Sequence, residues 1–445
     1  MSLGGGSWVT QNKSLPGTYI NVTSLASANL SISDRGVCTV PIQTDWGPDG
    51  SIIKITAEDF NNKCFKIFGV TSDDDSMKPL REIFRNASVL YAYRLNGNGS
   101  KASCTYGTAK YAGIGGNNLK IVIAANVDDN TLFDVSIYYG TTLVDEQTVA
   151  SAADLVSNEY VDFDTTATLS ATAGTSFTLG TNNTVTGTDY QSYFDLIENY
   201  TFNTMGLATD DATVKALALA FNKRLRDELG VKFQLVLFDY ISANYMGCIS
   251  VKNKCLDGMS GTGNSITYPH KPDLVYWVTG IQCACAVNVS CQNAFYDGEY
   301  DVDVNFSQSQ LSQLLDAGNF VLHNANGDIR VLDDINTLTT FTDNMSSLFR
   351  YNQTIRIIDK LANDDAYIFN TRYLGKIQNN DIGRTSLWLD LVKNREELQS
   401  MGAISDFDSK DVTVSVGEDR RSVVIENVIT IVNSMTKLYI TTTIS

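Results

Sequence analysis

The chain has 445 residues, 43% of them hydrophobic and 19% charged, and a net charge of −17. This length exceeds what one core usually organises, so three or four domains are expected. The acidic balance excludes sequence-independent DNA or RNA binding, which depends on Lys and Arg neutralising phosphates. No run reaches the roughly 18 apolar residues that a membrane span requires. The opening MSLGGGSWVTQNK has no apolar core of signal-peptide length. The expectation is a protein made and kept in the cytoplasm, with its eight cysteines as thiols.

Residues 1–20 read as an arm, with flexible Gly4-Gly5-Gly6, a turn at Pro16-Gly17, and strand-formers at Trp8-Val9 and Tyr19-Ile20. Such an arm either ties down on another surface or is a disordered tail. Residues 21–95 alternate strand and turn signals, with strands at Gly36–Ile42, Ser51–Thr56 and Val89–Leu95 and a short helix at Lys78–Asn86. Residues 96–190, rich in Thr, Ser, Gly and Asn, read as a small sandwich with strands at Leu119–Ala124 and Phe133–Tyr139; Leu169–Thr188 is a linker or a long hairpin.

Residues 191–340 read as α/β. A helix spans Asp210–Leu229, with acidic residues in its first turn, basic ones near its end and Gly230 as its stop. Strands are expected at Val231–Phe238 and Leu274–Val278, and a helix at Ser307–Asp316. In 341–445, Phe341, Met345, Leu348, Asn352, Ile355, Ile358 and Leu361 mark one face of a long helix, and a second helix spans Asp381–Met401.

The end of the chain is β. Val412, Val414 and Val416 alternate with polar residues, as do Leu438, Ile440 and Ile444; Val423–Ile425 and Val428–Val432 read as strands covered on both faces. A terminal strand joins its own sheet or another subunit's, because a strand edge presents unpaired N–H and C=O groups. Residues 345–445 hold 12 basic and 13 acidic side chains, so nearly all the negative charge falls on the rest. A near-neutral end on an acidic body suits either a docking piece or a denser core domain.

Marks of catalysis are sparse. The two histidines are His270, in a Tyr-Pro-His-Lys-Pro loop, and His323, after an apolar stretch. Ser260 in Gly-Met-Ser-Gly is the nearest nucleophile but is not in a G-x-S-x-G elbow. Cys283, Cys285 and Cys291, with Cys248 and Cys255 further off, lack the paired C-x-x-C spacing of a zinc ribbon. There is no phosphate-binding loop, and Asp73–Asp75 and Asp128-Asp129 lack the remainder of a calcium loop. No catalytic, cofactor or metal residue is assigned.

Short motifs along the chain carry a resemblance: Gly4-Gly5-Gly6, Gln11-Asn12-Lys13, Pro16–Ile20, Arg35-Gly36, Asp45-Trp46-Gly47-Pro48, Tyr91–Asn96, Ala109–Gly113 with Gly116-Asn117, Tyr296-Asp-Gly298, Asp334–Leu338, Tyr373–Lys376 with Asn379-Asn380, and Met435–Tyr439. In this order they resemble the tail sheath proteins of contractile phages, and most of all the short sheaths of Gram-positive phages, defective prophages and phage-tail-like particles. The resemblance implies a multidomain α+β fold: β-rich outer domains, a subtilisin-like α/β central domain without protease function, and a C-terminal α+β domain ending in a sheet with exchangeable strands. The corresponding divisions are 1–20, 21–95, 96–190, 191–340 and 341–445.

It further implies a subunit that polymerises as a helical sleeve of sixfold rings around a tail tube and contracts to drive that tube through a target envelope. Its partners would be other copies of itself, the tube, baseplate and tail terminator proteins, with no cofactor, nucleic acid or membrane insertion. It would assemble in the host cytoplasm and end in a virion tail or phage-tail-like particle. The expected inter-subunit residues are Trp8, Val9, Tyr19, Ile20, Val412, Val414, Val428, Ile429, Ile431, Leu438, Tyr439 and Ile440, joined by β-augmentation. Lys393, Arg395 and Glu396 are expected at the tube. The competing readings are a hydrolase using Ser260 and His270, and a static capsid-like surface protein.

Overall fold

The computed structural model describes residues 35–257, 271–343 and 345–444. The first strands are β1 (Val37–Ile42), β2 (Ile52–Thr56) and β3 (Val89–Arg94), with helices α1 (Ala57–Phe68) and α2 (Lys78–Phe84) between the last two. The sequence reading missed α1, although its signals are present. Thr56 caps the helix by accepting from the Asp59 N–H, the Asp59 carboxylate accepts in return from the Thr56 N–H, and Phe60, Cys64 and Phe68 bury one face. Gly69 stops it in the left-handed region.

Between β3 and the rest of its sheet lies an antiparallel insert of seven strands: β4 (Lys101–Cys104), β5 (Gly107–Ala112), β6 (Leu119–Ala125), β7 (Phe133–Tyr139), β8 (Thr142–Val149), β9 (Val161–Phe163) and β10 (Thr172–Ser176). They form two sheets, ordered β10-β6-β7-β8 and β4-β5-β9, whose inward side chains, Ile121, Ile137 and Val161 among them, share one core. Trp46, from the loop after β1, is wholly buried in that core, stacked on Tyr160 and edge-on to Tyr111 and Tyr139. Arg94, at the end of β3, donates to the carbonyls of Thr44, Gly47 and Ala112 at 2.7–2.9 Å. A ring and a guanidinium thus fix the insert on the sheet that carries it.

The chain returns through α3 (Gly187–Ile197), β11 (Thr204–Leu207), α4 (Ala212–Lys223), β12 (Gln234–Phe238), β13 (Cys248–Val251), α5 (Leu274–Ala284), α6 (Gln308–Asp316) and β14 (Asn319–Phe320). The main sheet is ordered β14-β13-β12-β11-β1-β3-β2, parallel throughout except for β2 against β3. The segment before the insert and the segment after it therefore build a single sheet. Both faces are covered, as parallel sheets require. Leu235 and Leu237 of β12 face Tyr193, Ala218 and Phe221 on α3 and α4, while Val236 and Phe238 pack in the core of Val275 and Trp277 on α5.

The apolar run Leu274–Val278, expected as a strand, is the first half of α5. Leu274, Val275, Trp277 and Val278 are all fully buried, so the helix has no polar face in this half from which a period could be read.

The remainder comprises the hairpin β15 (Leu322–Ala325) and β16 (Asp328–Val331), helices α7 (Asn352–Ile368) and α8 (Asp381–Ser400), and four short strands: β17 (Ile404–Ser405), β18 (Val412–Val416), β19 (Val423–Asn427) and β20 (Thr430–Ile431). The expected helix from Phe341 begins only at Asn352. Ahead of it the chain is held against its neighbour, with the Asn336 N–H donating to the Arg350 carbonyl and the Asn352 N–H to the Asp334 carbonyl. α8 matches its expected extent, capped by Asn380 accepting from the Gly383 N–H.

Trp46→Ala should destabilise the protein by about 3–5 kcal/mol, because it removes the wholly buried ring that the loop after β1 places in the core of the insert. Urea unfolding followed by far-UV circular dichroism reads this.

Candidate functional site

α7 is fastened by charges on its buried face. Asp334 accepts five hydrogen bonds: from the Gln282 and Asn352 amides at 2.7 and 2.9 Å on one oxygen, and from the Arg356 guanidinium, the Cys291 N–H and the Ser290 hydroxyl at 2.7, 2.9 and 3.4 Å on the other. Arg356 also donates to the Gln282 side-chain carbonyl and the Val289 carbonyl, at 2.7 and 2.8 Å. On the same face of α7, Asp359 is held bidentately by Arg226 at 2.7 Å. Burial alone would raise the Asp334 pKa; the Arg356 charge and the hydrogen bonds outweigh it and hold the carboxyl below the usual range. α8 then packs on α7 through Asn394 to Asp364 at 2.9 Å and Arg395 to Asp365 at 2.5 and 2.6 Å.

Past α8 the chain is strand-forming and has little to cover it. β18 and β19 pair only with each other, Val412 opposite Asn427 through Val416 opposite Val423. β17 and β20 pair over two residues each, Ile404 opposite Ile431. A two-stranded ribbon is marginal alone, and both ribbons keep open outer edges among the described residues.

After β20 the chain is pinned once more. The Gln353 amide donates to the Val432 carbonyl at 3.4 Å and accepts from the Ser434 N–H at 2.9 Å, the pair of bonds that a neighbouring strand would supply. The Thr354 hydroxyl meets Asn433 at 3.2 Å. Beyond Ser434 there is no strand pairing as far as residue 444, and Met435, Leu438, Tyr439, Ile440 and Ile444 are between 73% and 100% exposed. So large an uncovered apolar run marks an interaction surface.

The expected interface residues divide accordingly. Leu438, Tyr439 and Ile440 stand free in the tail, and Val428 is exposed. Ile429 and Ile431 are half-buried against Ile404 and Leu398, and Val414 is half-buried in the hairpin. The expectation of strands covered on both faces at Val423–Ile425 and Val428–Val432 fails, because Val424, Val428 and Val432 are exposed, and pairing in the second stretch is confined to Thr430–Ile431. Val412 is buried within its own subunit, its carbonyl accepting from the Trp388 indole at 2.9 Å. Trp8, Val9, Tyr19 and Ile20 lie outside the described residues. On α8, Lys393 and Glu396 are exposed, but Arg395 is wholly buried on Asp365 and is not a surface contact. The clamp of Gln353 and Thr354 was not read from the sequence, where both are merely polar residues inside a helix expected to begin at Phe341.

Of the sparse catalytic candidates, Ser260 and His270 lie outside the described residues. His323 is on β15 opposite Arg330, its pKa lowered by burial. All eight cysteines are free thiols. Among the described residues no group of three or more His, Cys, Asp or Glu side chains could hold a metal ion, and no helix is long and apolar enough to cross a membrane.

The open strand edges and the unpaired tail present backbone that another chain can pair with. Comparison with known proteins names the class. Residues 35–95 match the family model for the tail sheath protein Gp18 domain III N-terminal region, 96–183 that for the phage tail sheath β-sandwich domain, 183–337 the central domain and 344–445 the C-terminal domain. The chain belongs to the phage tail sheath family and is a structural subunit of a contractile tail.

The phage-like element PBSX protein XkdK of Bacillus subtilis is 32% identical, the match covering 98% of this chain and 99% of the relative. The solved sheath tail protein of Desulfitobacterium hafniense is 34% identical with a TM-score of 0.81, over 95% of this chain and 99% of that one. That of Listeria innocua is 31% identical with a TM-score of 0.78, over 90% and 92%. The anti-feeding prophage helical sheath in its contracted state, 14% identical, shares the fold at a TM-score of 0.56 over 97% and 99%.

Asp334→Asn leaves the buried Arg356 charge unpaired and should cost about 3–5 kcal/mol at neutral pH. Because the Asp334 pKa is depressed in the folded state, its contribution is present above the unfolded carboxyl value and lost as pH falls through the folded one. The gap between wild type and variant should therefore be constant above about pH 5 and close progressively below about pH 4, as read from urea midpoints against pH.

Proposed function

We propose that this subunit polymerises as a helical sleeve around a tail tube, linked to neighbouring copies by donated strands, and shortens to drive the tube through a target envelope. The observation that carries this reading is the C-terminal segment. It alternates as a strand, is exposed in the isolated subunit and is clamped at Ser434, while two ribbons with open edges lie in the same domain. Donated backbone would complete those ribbons by β-augmentation. On this reading Leu438, Tyr439 and Ile440 enter a neighbour's sheet beside Val414, Val428, Ile429 and Ile431, and the arm with Trp8, Val9, Tyr19 and Ile20 supplies a second strand.

Magnitudes explain why the sleeve requires a template. Burying Leu438, Ile440 and Ile444 would contribute on the order of 5–9 kcal/mol, and five or so backbone hydrogen bonds about 5 more. Ordering ten or so residues costs on the order of 10–15 kcal/mol. One donated strand is near balance. Many links in a lattice, nucleated on a tube, hold where a single one does not.

The parallel sheet with helices on both faces is, in this proposal, the subtilisin-like domain of the family, retained as a scaffold without hydrolysis. The solved assemblies of the anti-feeding prophage, described as a contracted helical sheath and a sixfold-symmetrised baseplate, favour rings of six and a partner at the baseplate; the tube and terminator partners rest on the family resemblance alone. Assembly in the host cytoplasm, then residence in a virion tail or phage-tail-like particle, completes the reading.

Ending the chain at Ser434 removes the tail and keeps its clamp. The shortened protein should keep the melting temperature of the full chain within about 2 °C yet form no tubes with tail tube protein under negative-stain microscopy; tubes of normal length would refute strand donation at this end. Exchanging the charges of Lys393 and Glu396 (Lys393→Glu with Glu396→Lys) should leave the fold intact and reduce co-sedimentation with the tube, whereas unchanged co-sedimentation removes α8 from that contact.

A further inference from the structure

The last turn of α5 ends at Cys285, and the loop after it ends at Cys291. The Cys285 sulfur lies 3.4 Å from the Val289 carbonyl at the surface, whereas Cys291 is 3% exposed, its sulfur 3.9 Å from the Ile281 carbonyl of the same helix turn. The Ile281 carbonyl that the Cys291 sulfur approaches also accepts from the Cys285 N–H at 2.9 Å, so both cysteines converge on one carbonyl at the end of the helix. Two guanidinium groups frame the pair. Arg35 donates to the Cys285 and Gln282 carbonyls at 2.8 and 2.9 Å, and Arg356 to the Val289 carbonyl at 2.8 Å. An accessible sulfur, a second one sheltered behind it and neighbouring cations form the arrangement in which thiols are oxidised selectively.

We propose that Cys285 and Cys291 are an oxidisable dithiol, closing to an intramolecular disulfide under a hydroperoxide once the subunit leaves a reducing compartment. The Cys285 thiolate attacks one peroxide oxygen, the O–O bond breaks, hydroxide leaves, and a sulfenic acid forms. The Cys291 sulfur then attacks the Cys285 sulfur; the S–O bond breaks, the hydroxyl departs as water with the Cys291 proton, and the S–S bond forms. Two thiols are oxidised and one hydroperoxide is reduced to water.

The hydrogen bond from Cys291 and the charges of Arg356 and Arg35 hold the Cys285 thiol below its ordinary pKa against the opposing effect of burial, whereas burial raises Cys64, Cys104, Cys248 and Cys255. Cys38 and Cys283 also adjoin, but both are wholly buried and serve as an internal control. The bond would fasten the loop whose Cys291 N–H and Val289 carbonyl hold Asp334 and Arg356, stapling the α5–α7 junction in particles outside the cell.

The test treats reduced full-length protein with hydrogen peroxide, alkylates the remaining thiols in denaturant and maps peptides without reduction. The expected result is loss of two hydrogens between Cys285 and Cys291, with Cys38 and Cys283 still alkylated. Cys291→Ala should abolish the bond and leave Cys285 as a sulfenic acid that dimedone traps, and Cys285→Ser should abolish both products. If Cys285 and Cys291 are both alkylated after a dose that fully oxidises free cysteine, or if the bond joins two molecules or Cys38 to Cys283, the proposal is overturned.

Discussion

The buried pair of Asp334 and Arg356, with Arg226 and Asp359 beside it, is the constraint on which the C-terminal third depends. Removing two ions from water costs several kcal/mol each, and only close geometry with every lone pair engaged offsets it. Here the carboxylate is saturated by five donors drawn from the end of α5, the loop after it and the start of α7. A hydrophobic contact would tolerate a slipped helix; this one does not, because a one-residue shift of α7 would leave two buried charges unpaired. The rigid sheet and the C-terminal helices thus form one piece, and α8 inherits its position through Arg395 and Asp365.

That rigidity gives the open edges their meaning. A sleeve whose subunits reorient must keep neighbours linked while they move, and on the proposed reading the link is main chain leaving the rigid piece at Ser434. The Gln353 amide there occupies the place of a paired strand, so the chain is held extended as it leaves its own subunit. Side-chain pockets would need re-forming after each rotation, whereas backbone ladders travel with the strands they join.

Much of this was legible in the sequence, and the failures are physical. α4 declares itself by its cap, charge placement and apolar period, and α8 by its apolar residues Leu387, Leu391, Val392 and Leu398 and by Gly402 as its stop. α5 was misread because a helix buried all round shows no period. α1 and α3 went unread although Thr56 with Asp59, and Thr186 with Asp189, form capping boxes. The single sheet made from both sides of the insert could not be read, since its register of Cys38 opposite Thr204 lies far apart in sequence. For the interface, the alternation of Leu438 and Ile440 was visible and their exposure was the informative addition. Arg395 looked like a surface charge because nothing local announces that Asp365, thirty residues back, awaits it.

The central claim is that residues beyond Ser434 are unpaired in the free subunit and become a ladder strand in the sheath. Hydrogen–deuterium exchange on the free subunit and on sleeves assembled around tube protein tests it directly. The account predicts that amides 436–444 exchange at near-random-coil rates in the subunit and slow by at least about a hundredfold in the sleeve, the protection of a buried ladder. Fast exchange of those amides in intact sleeves would contradict it and assign the lattice to another surface.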